Sequence, residues 1–113
     1  MKLVKDTISI DELKEMSEKM FSRIVKAVVD INHEIIAVDA EMHVDLEAFL
    51  LENDSEQQYL WGINFHPGEL NDKFVEFDSM INIRPSQNNR TRSVDDEHIR
   101  KKILKIVDRL VKP

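Results

Sequence analysis

Residues Arg23 to Met42, R-I-V-K-A-V-V-D-I-N-H-E-I-I-A-V-D-A-E-M, carry the pattern on which the fold turns. Val25, Ala27, Val29 and Ile31 fall on one side of an extended chain, and Ile24, Lys26, Val28 and Asp30 on the other. Side chains alternate along a strand, so this period of two specifies β structure. After Asn32-His33 the alternation resumes: Ile36, Val38, Ala40 and Met42 share one face, and Ile35, Ala37, Asp39 and Glu41 the other. Asn tolerates positive φ, so Asn32-His33 is expected to form a two-residue turn that closes a β-hairpin.

Toward the N-terminus, Leu3 and Ile8 suggest a short first strand. Ser9-x-x-Glu12 is a capping box, which opens a helix with Ile10, Leu13, Met16, Met20 and Ile24 on its inner face. Beyond the hairpin, Asp45 is expected to cap a second helix with Leu46, Phe49 and Leu50 inward and Asn53 as its stop. Trp61, Ile63 and Phe65 alternate with Gly62, Asn64 and His66 in a further strand, and Pro67-Gly68 turns the chain. Phe74 to Arg84 reads as the longest strand, with Val75, Phe77, Ile81 and Ile83 toward the core. Ser93 is expected to cap the last helix, whose buried stripe is Ile99, Ile103, Ile106 and Leu110.

The order is β-α-β-β-α-β-β-α. It predicts an α+β domain spanning residues 1–113, with a mostly antiparallel sheet of about five strands, two hairpins and three packing helices. The helices are expected on one face, with the first six elements tracing a ferredoxin-like unit.

A chain of 113 residues is one domain by size and long enough for a single core. Without cysteine it has no disulfide framework and no thiolate metal site. No apolar run approaches bilayer length, and Met1 to Asp6 lack a signal-peptide core, so the expected setting is cytoplasmic with no membrane partner. The net charge of −6 is unevenly spread. Residues 1–80 hold 7 basic and 18 acidic side chains; residues 81–113 hold 9 and 4. Either the basic third packs against the acidic middle, or the two make separate faces for cations and anions.

The segments Trp61-Gly-Ile-Asn, Glu76-Phe-Asp-Ser-Met-Ile-Asn-Ile-Arg-Pro-Ser-Gln and Asn89-Arg-Thr-Arg join Lys26-Ala-Val-Val-Asp30 and Glu47-Ala-Phe-Leu-Leu-Glu52 in a wider likeness. Taken together they resemble a family of small prokaryotic single-domain proteins of unknown function. The resemblance covers nearly the whole chain and implies one compact domain. It brings no activity, ligand or catalytic residue.

Two stretches carry candidate chemistry. In Met80 to Ser93, M-I-N-I-R-P-S-Q-N-N-R-T-R-S, a strand end delivers Arg84 into a polar loop. Arg84, Arg90 and Arg92 offer planar forks for phosphate or carboxylate, and Ser86, Gln87 and Asn89 add neutral polar groups. A helix starting at Ser93 would add free amides. The loop lacks the glycine-rich pattern of a phosphate cradle, and Arg84 could instead pair with Glu76 or Asp78. The second stretch is Asp39-x-Glu41-x-His43-x-Asp45. On a continuous strand, Asp39, Glu41 and His43 would share a side and suit a divalent metal such as Mg²⁺, Mn²⁺ or Zn²⁺, or hold a water for base catalysis.

Three functions follow as expectations. The leading one is a binding domain for a small anionic ligand, phosphate- or carboxylate-bearing, held by the arginine loop. The alternatives are a divalent-metal-dependent hydrolase and a non-enzymatic interaction or homo-oligomer module. Net acidity argues against nucleic acid.

Overall fold

A computed structural model describes all 113 residues. The elements are β1 (Lys2–Val4), β2 (Ile8–Ser9), α1 (Ile10–Lys19), β3 (Val25–Asp30), β4 (Ile35–Val38), α2 (His43–Glu52), β5 (Leu60–Phe65), β6 (Val75–Glu76), α3 (Glu97–Leu110) and β7 (Val111–Lys112). Five strands form one sheet in the order β1-β4-β3-β5-β6, and every neighbouring pair is antiparallel. The expected α+β order is therefore present. A separate parallel ribbon pairs β2 with β7 and ties the two ends of the chain together.

The hairpin forms where the alternation placed it, with Ala27 opposite Val38 and Asp30 opposite Ile35. Its turn is longer than the two residues expected. Ile31 to Glu34 make the connection, and Glu34, not Asn32, takes the positive φ of 59°. The cause is Asp30. Its Oδ1 accepts from the backbone N–H of both Asn32 (2.9 Å) and His33 (3.0 Å), which winds the chain into a wider turn.

The connections decide which faces the helices cover. β1 and β3 run parallel with β4 between them; β4 and β5 run parallel with β3 between them. Both helical crossovers step the same way across the sheet, but along opposite strand directions. Right-handed crossovers then put α1 and α2 on opposite faces. The buried side chains divide accordingly. Leu13 and Met16 of α1 and Ile103, Ile106 and Leu110 of α3 pack with Ala27, Val29, Trp61 and Ile63. Leu46 and Leu50 of α2 pack with Val28, Ala37 and Leu60 on the other side. The single covered face expected from sequence is thus replaced by three layers. The ferredoxin-like unit is not formed, because β5 lies against β3 instead of beyond β1.

Ser9 caps α1 as its motif implies, accepting from the Glu12 N–H at 3.1 Å. The other two helix starts differ. α2 begins two residues before Asp45, at His43, with Met42 as an N-cap that makes no side-chain bond. α3 is capped by Asp96, whose Oδ1 accepts from His98 and Ile99, and not by Ser93.

The long final strand is also absent. Only Val75–Glu76 pairs with β5, and Met80–Asn82 and Pro85–Gln87 are single 3-10 turns. Asn82 explains the break. Its side-chain amide takes the place of a strand backbone against Gly62: Oδ1 accepts the Gly62 N–H at 2.8 Å and Nδ2 donates to the Gly62 carbonyl at 2.9 Å. Gly62 lets the turn press in this closely. A Cβ there would lie 2.5 Å from the Ser79 Cβ.

Candidate functional site

The arginine loop is ordered by internal bonds. Arg84 and Asn89 exchange backbone hydrogen bonds in both directions, which closes residues 84–89 into a ring with Asn88 left-handed at its tip. Arg84 pairs with neither Glu76 nor Asp78. Its guanidinium stacks 4.2 Å above the Trp61 ring and donates to the carbonyls of Gln57 and Leu60. Burial lowers its pKa from the usual arginine value, and the Glu47 carboxylate opposes that shift. Gln87 donates to the Gln58 carbonyl. Asn89 is 2 % exposed; its Nδ2 donates to the carbonyls of Asn82, Thr91 and Ser93, and its Oδ1 accepts from the Asp95 N–H. These three residues hold the backbone together instead of forming an open anion seat. Ser86 and Arg90 are exposed. Arg92 pairs with Asp78 through Nε at 2.6 Å. The helix start expected at Ser93 lies at Asp96, whose own carboxylate occupies it.

The acidic segment does not assemble. β4 ends at Val38, Asp39 takes a positive φ of 73°, and Glu41 sits in an exposed loop. His43 turns into α2, with Nε2 2.8 Å from the Ile63 carbonyl. No group of three His, Asp or Glu side chains anywhere in the chain is placed to hold a metal ion. Asp39 and Glu41 thus lie in the loop after β4, and His43 lies at the start of α2.

The two segments meet elsewhere. Lys26 of β3 lies opposite Asn64 of β5, and Asn64 opposite Glu76 of β6. This polar row continues the sheet face that carries Val28 and Leu60, beyond the reach of Leu46 and Leu50. α2 starts at that end of the sheet, so the row is left as the floor of a cleft of about 300 Å³. His43 and Val44 of the uncapped first turn line one wall; Asp78, Met80 and Arg92 line the other. Lys26 Nζ donates to the Glu41 carbonyl at 2.9 Å. The Asn64 amide donates to Glu76 Oε1 (3.0 Å) and to the Asp78 carbonyl (3.1 Å). Glu76 Oε1 also lies 3.1 Å from His66 Nε2.

His43 is 9 % exposed, and its pKa is lowered from the usual histidine value. Burial is the main cause; Lys26 and Arg92 push the same way, while the Ile63 carbonyl and Asp78 oppose. A neutral His43 with Nε2–H on the Ile63 carbonyl keeps Nδ1 as an acceptor.

Of the residues singled out from sequence, Arg92 and His43 reach this cleft. Lys26, Asn64, Glu76 and Asp78 were missed as site residues. The available signal was Lys26, a charged residue set between Ile24 and Val28 on one strand face.

These features define a small α+β domain with a charged cleft at the open end of its sheet. The chain belongs to a family described as protein of unknown function, DUF5674, whose model matches residues 2–110. No curated protein and no solved structure matches it significantly. No helix is long and apolar enough to cross a membrane.

Proposed function

We propose that this protein is a binding domain for a small carboxylate- or phosphate-bearing ligand, and that the cleft beside the first turn of α2 is where the anion sits. The observation that carries this reading is convergence. Lys26, Arg92 and the uncapped start of α2 line the same cleft. The α2 start has no side-chain cap, so the His43 and Val44 amides add donors there, although Asp45 N–H bonds the Met42 carbonyl, and Arg92 has only its Nε engaged. Of the arginine loop, Arg92 serves this role; Arg84 fastens the loop in place, and Arg90 lies outside the cleft lining.

Titration calorimetry with inorganic phosphate and a panel of phosphorylated and carboxylic metabolites tests the reading. Arg92→Ala and Lys26→Ala should each weaken the best binder roughly tenfold, the worth of one charge-assisted hydrogen bond. Arg90→Ala should leave it unchanged. If Arg92→Ala leaves every measured affinity where it was, the cleft is not the anion site.

A further inference from the structure

We infer that the cleft takes an α-amino acid, bound as the zwitterion through both its carboxylate and its ammonium, with an apolar side chain. This rests on the reading of the cleft as an anion site and narrows it.

A cleft meant for an anion alone would not carry two carboxylates. Here Glu76 and Asp78 line the same space as Lys26 and Arg92, so the formal charges cancel. Each ion pair or hydrogen bond in the lining also leaves half of its group free. Arg92 meets Asp78 through Nε and Oδ1, which leaves both terminal guanidinium nitrogens on one partner and Oδ2 on the other. Glu76 receives Asn64 and His66 on Oε1, which leaves Oε2. The free halves are donors for a carboxylate and acceptors for an ammonium, side by side.

Asn64 points to the same ligand independently. It lines the cleft, is 4 % exposed, and its Oδ1 has no hydrogen-bond partner. The amide orientation is fixed, because Nδ2 faces two groups that can only accept. What remains is a buried acceptor without a donor, which native proteins rarely leave unmet. Oδ1 is itself buried, so an ammonium reaches it only if the side chains of the floor shift, whereas an ionised carboxylate has no donor to offer it at all.

Apart from His43 and Ser79, the rest of the lining is apolar. Ile24, Met42, Val44, Met80 and Ile81 border the charged floor. Met42 and Met80 are 53 % and 64 % exposed, and flexible thioether side chains adapt to apolar groups of differing shape. The volume, about 300 Å³, lies at the small end for ligand pockets and suits a molecule of single-amino-acid size.

The experiment is a melting-shift screen of the full chain against each protein amino acid at millimolar concentration. It is followed by calorimetry of the best binder beside its des-amino carboxylate and its decarboxylated amine. The expected result is binding of an apolar amino acid, with each truncated analogue weaker by roughly tenfold or more. Glu76→Gln and Asp78→Asn should weaken the amino acid but not the des-amino carboxylate, whereas Arg92→Gln should weaken both. A des-amino carboxylate that binds as tightly as the amino acid overturns the inference and leaves the anion reading intact. So does a protein that binds phosphate or other carboxylates but no amino acid. Silence from every probe overturns both.

Discussion

The Arg84 guanidinium lies 4.2 Å from the centre of the Trp61 ring, while its two terminal nitrogens reach the carbonyls of Gln57 and Leu60. One planar cation therefore caps an aromatic face and ties a turn to the start of β5. The fork geometry is the reason for arginine, since a lysine ammonium cannot stack and span two carbonyls at once. Arg84→Ala should cost about 2–3 kcal/mol, the scale of a desolvated cation–π contact with charge-assisted hydrogen bonds. Arg84→Lys should recover less than half of that. Urea titration followed by Trp61 fluorescence measures it, because the ring environment changes with the same event. A near-neutral Arg84→Ala would mean that the loop holds without its clamp.

Asn82 is fully buried and serves Gly62 and the Arg92 carbonyl together. Asn82→Ala leaves the Gly62 N–H, the Gly62 carbonyl and the Arg92 carbonyl without those partners. Each buried group left unpaired costs about 1–3 kcal/mol, so the loss should be at least about 2 kcal/mol. Gly62→Ala should be similarly costly for a different reason: its φ is not positive, but the new Cβ would overlap the Ser79 side chain. Thermal melts of both variants decide this, and Ser79→Gly added to Gly62→Ala should restore part of the loss. If Gly62→Ala melts like the parent, the close approach at 2.5 Å is not a real constraint.

The same pair marks where the sequence stops being legible. Alternation along Val25 to Val38 located the hairpin because strand burial is a local, two-residue rhythm. Val75, Phe77, Ile81 and Ile83 keep that rhythm too, yet only Val75–Glu76 is strand. Beyond it, the bonding partner of β5 is a side-chain amide, which leaves no trace in a pattern of apolar positions. Arg84 looked available because a polar loop follows it after Pro85; its partners are carbonyls 24 and 27 residues away. The cleft was hidden for a related reason. Lys26, Asn64 and Glu76 form one row only once β3, β5 and β6 are in register. Arg92 was legible as a cation, but not as the one that faces them.

Asp30 has no exposed side-chain surface and gathers Ser55 Oγ at 2.6 Å, His33 Nδ1 at 2.7 Å and two turn amides. Burial alone would raise its pKa; the hydrogen bonds from Ser55, His33 and Asn32 together outweigh that and lower it below the usual aspartate value. A lowered native pKa means that the unfolded chain binds more protons in acid. The stability Asp30 contributes is therefore present above the unfolded carboxylate pKa, about 3.9, and lost as pH falls through the native value. Asp30→Asn should cost about 2–3 kcal/mol at neutral pH, and the gap to the parent should narrow progressively as pH falls below about 4. Urea midpoints across that range give the answer, and a gap that does not shrink would assign the loss to packing instead of charge.

His43 acts in a higher window. Burial is the largest cause of its lowered pKa, with Lys26 and Arg92 adding to it, and its Nε2–H rests on the Ile63 carbonyl. The native state thus holds a neutral ring where the unfolded chain holds one that titrates near 6.5. Between the lowered native value and about 6.5 the unfolded chain carries the extra proton, so stability falls as pH drops through that interval. His43→Gln keeps an amide donor for the Ile63 carbonyl and removes the titrating group. The parent should lose more stability than His43→Gln between about pH 7 and about pH 5, and the two curves should run parallel above about pH 7. Because Lys26 and Arg92 help to hold the ring neutral, Arg92→Gln should raise the native value toward the unfolded one, narrow that interval and so reduce the loss of stability on acidification. Equal slopes for parent and His43→Gln between the two pH values would mean that the buried imidazole does not govern the acid limb.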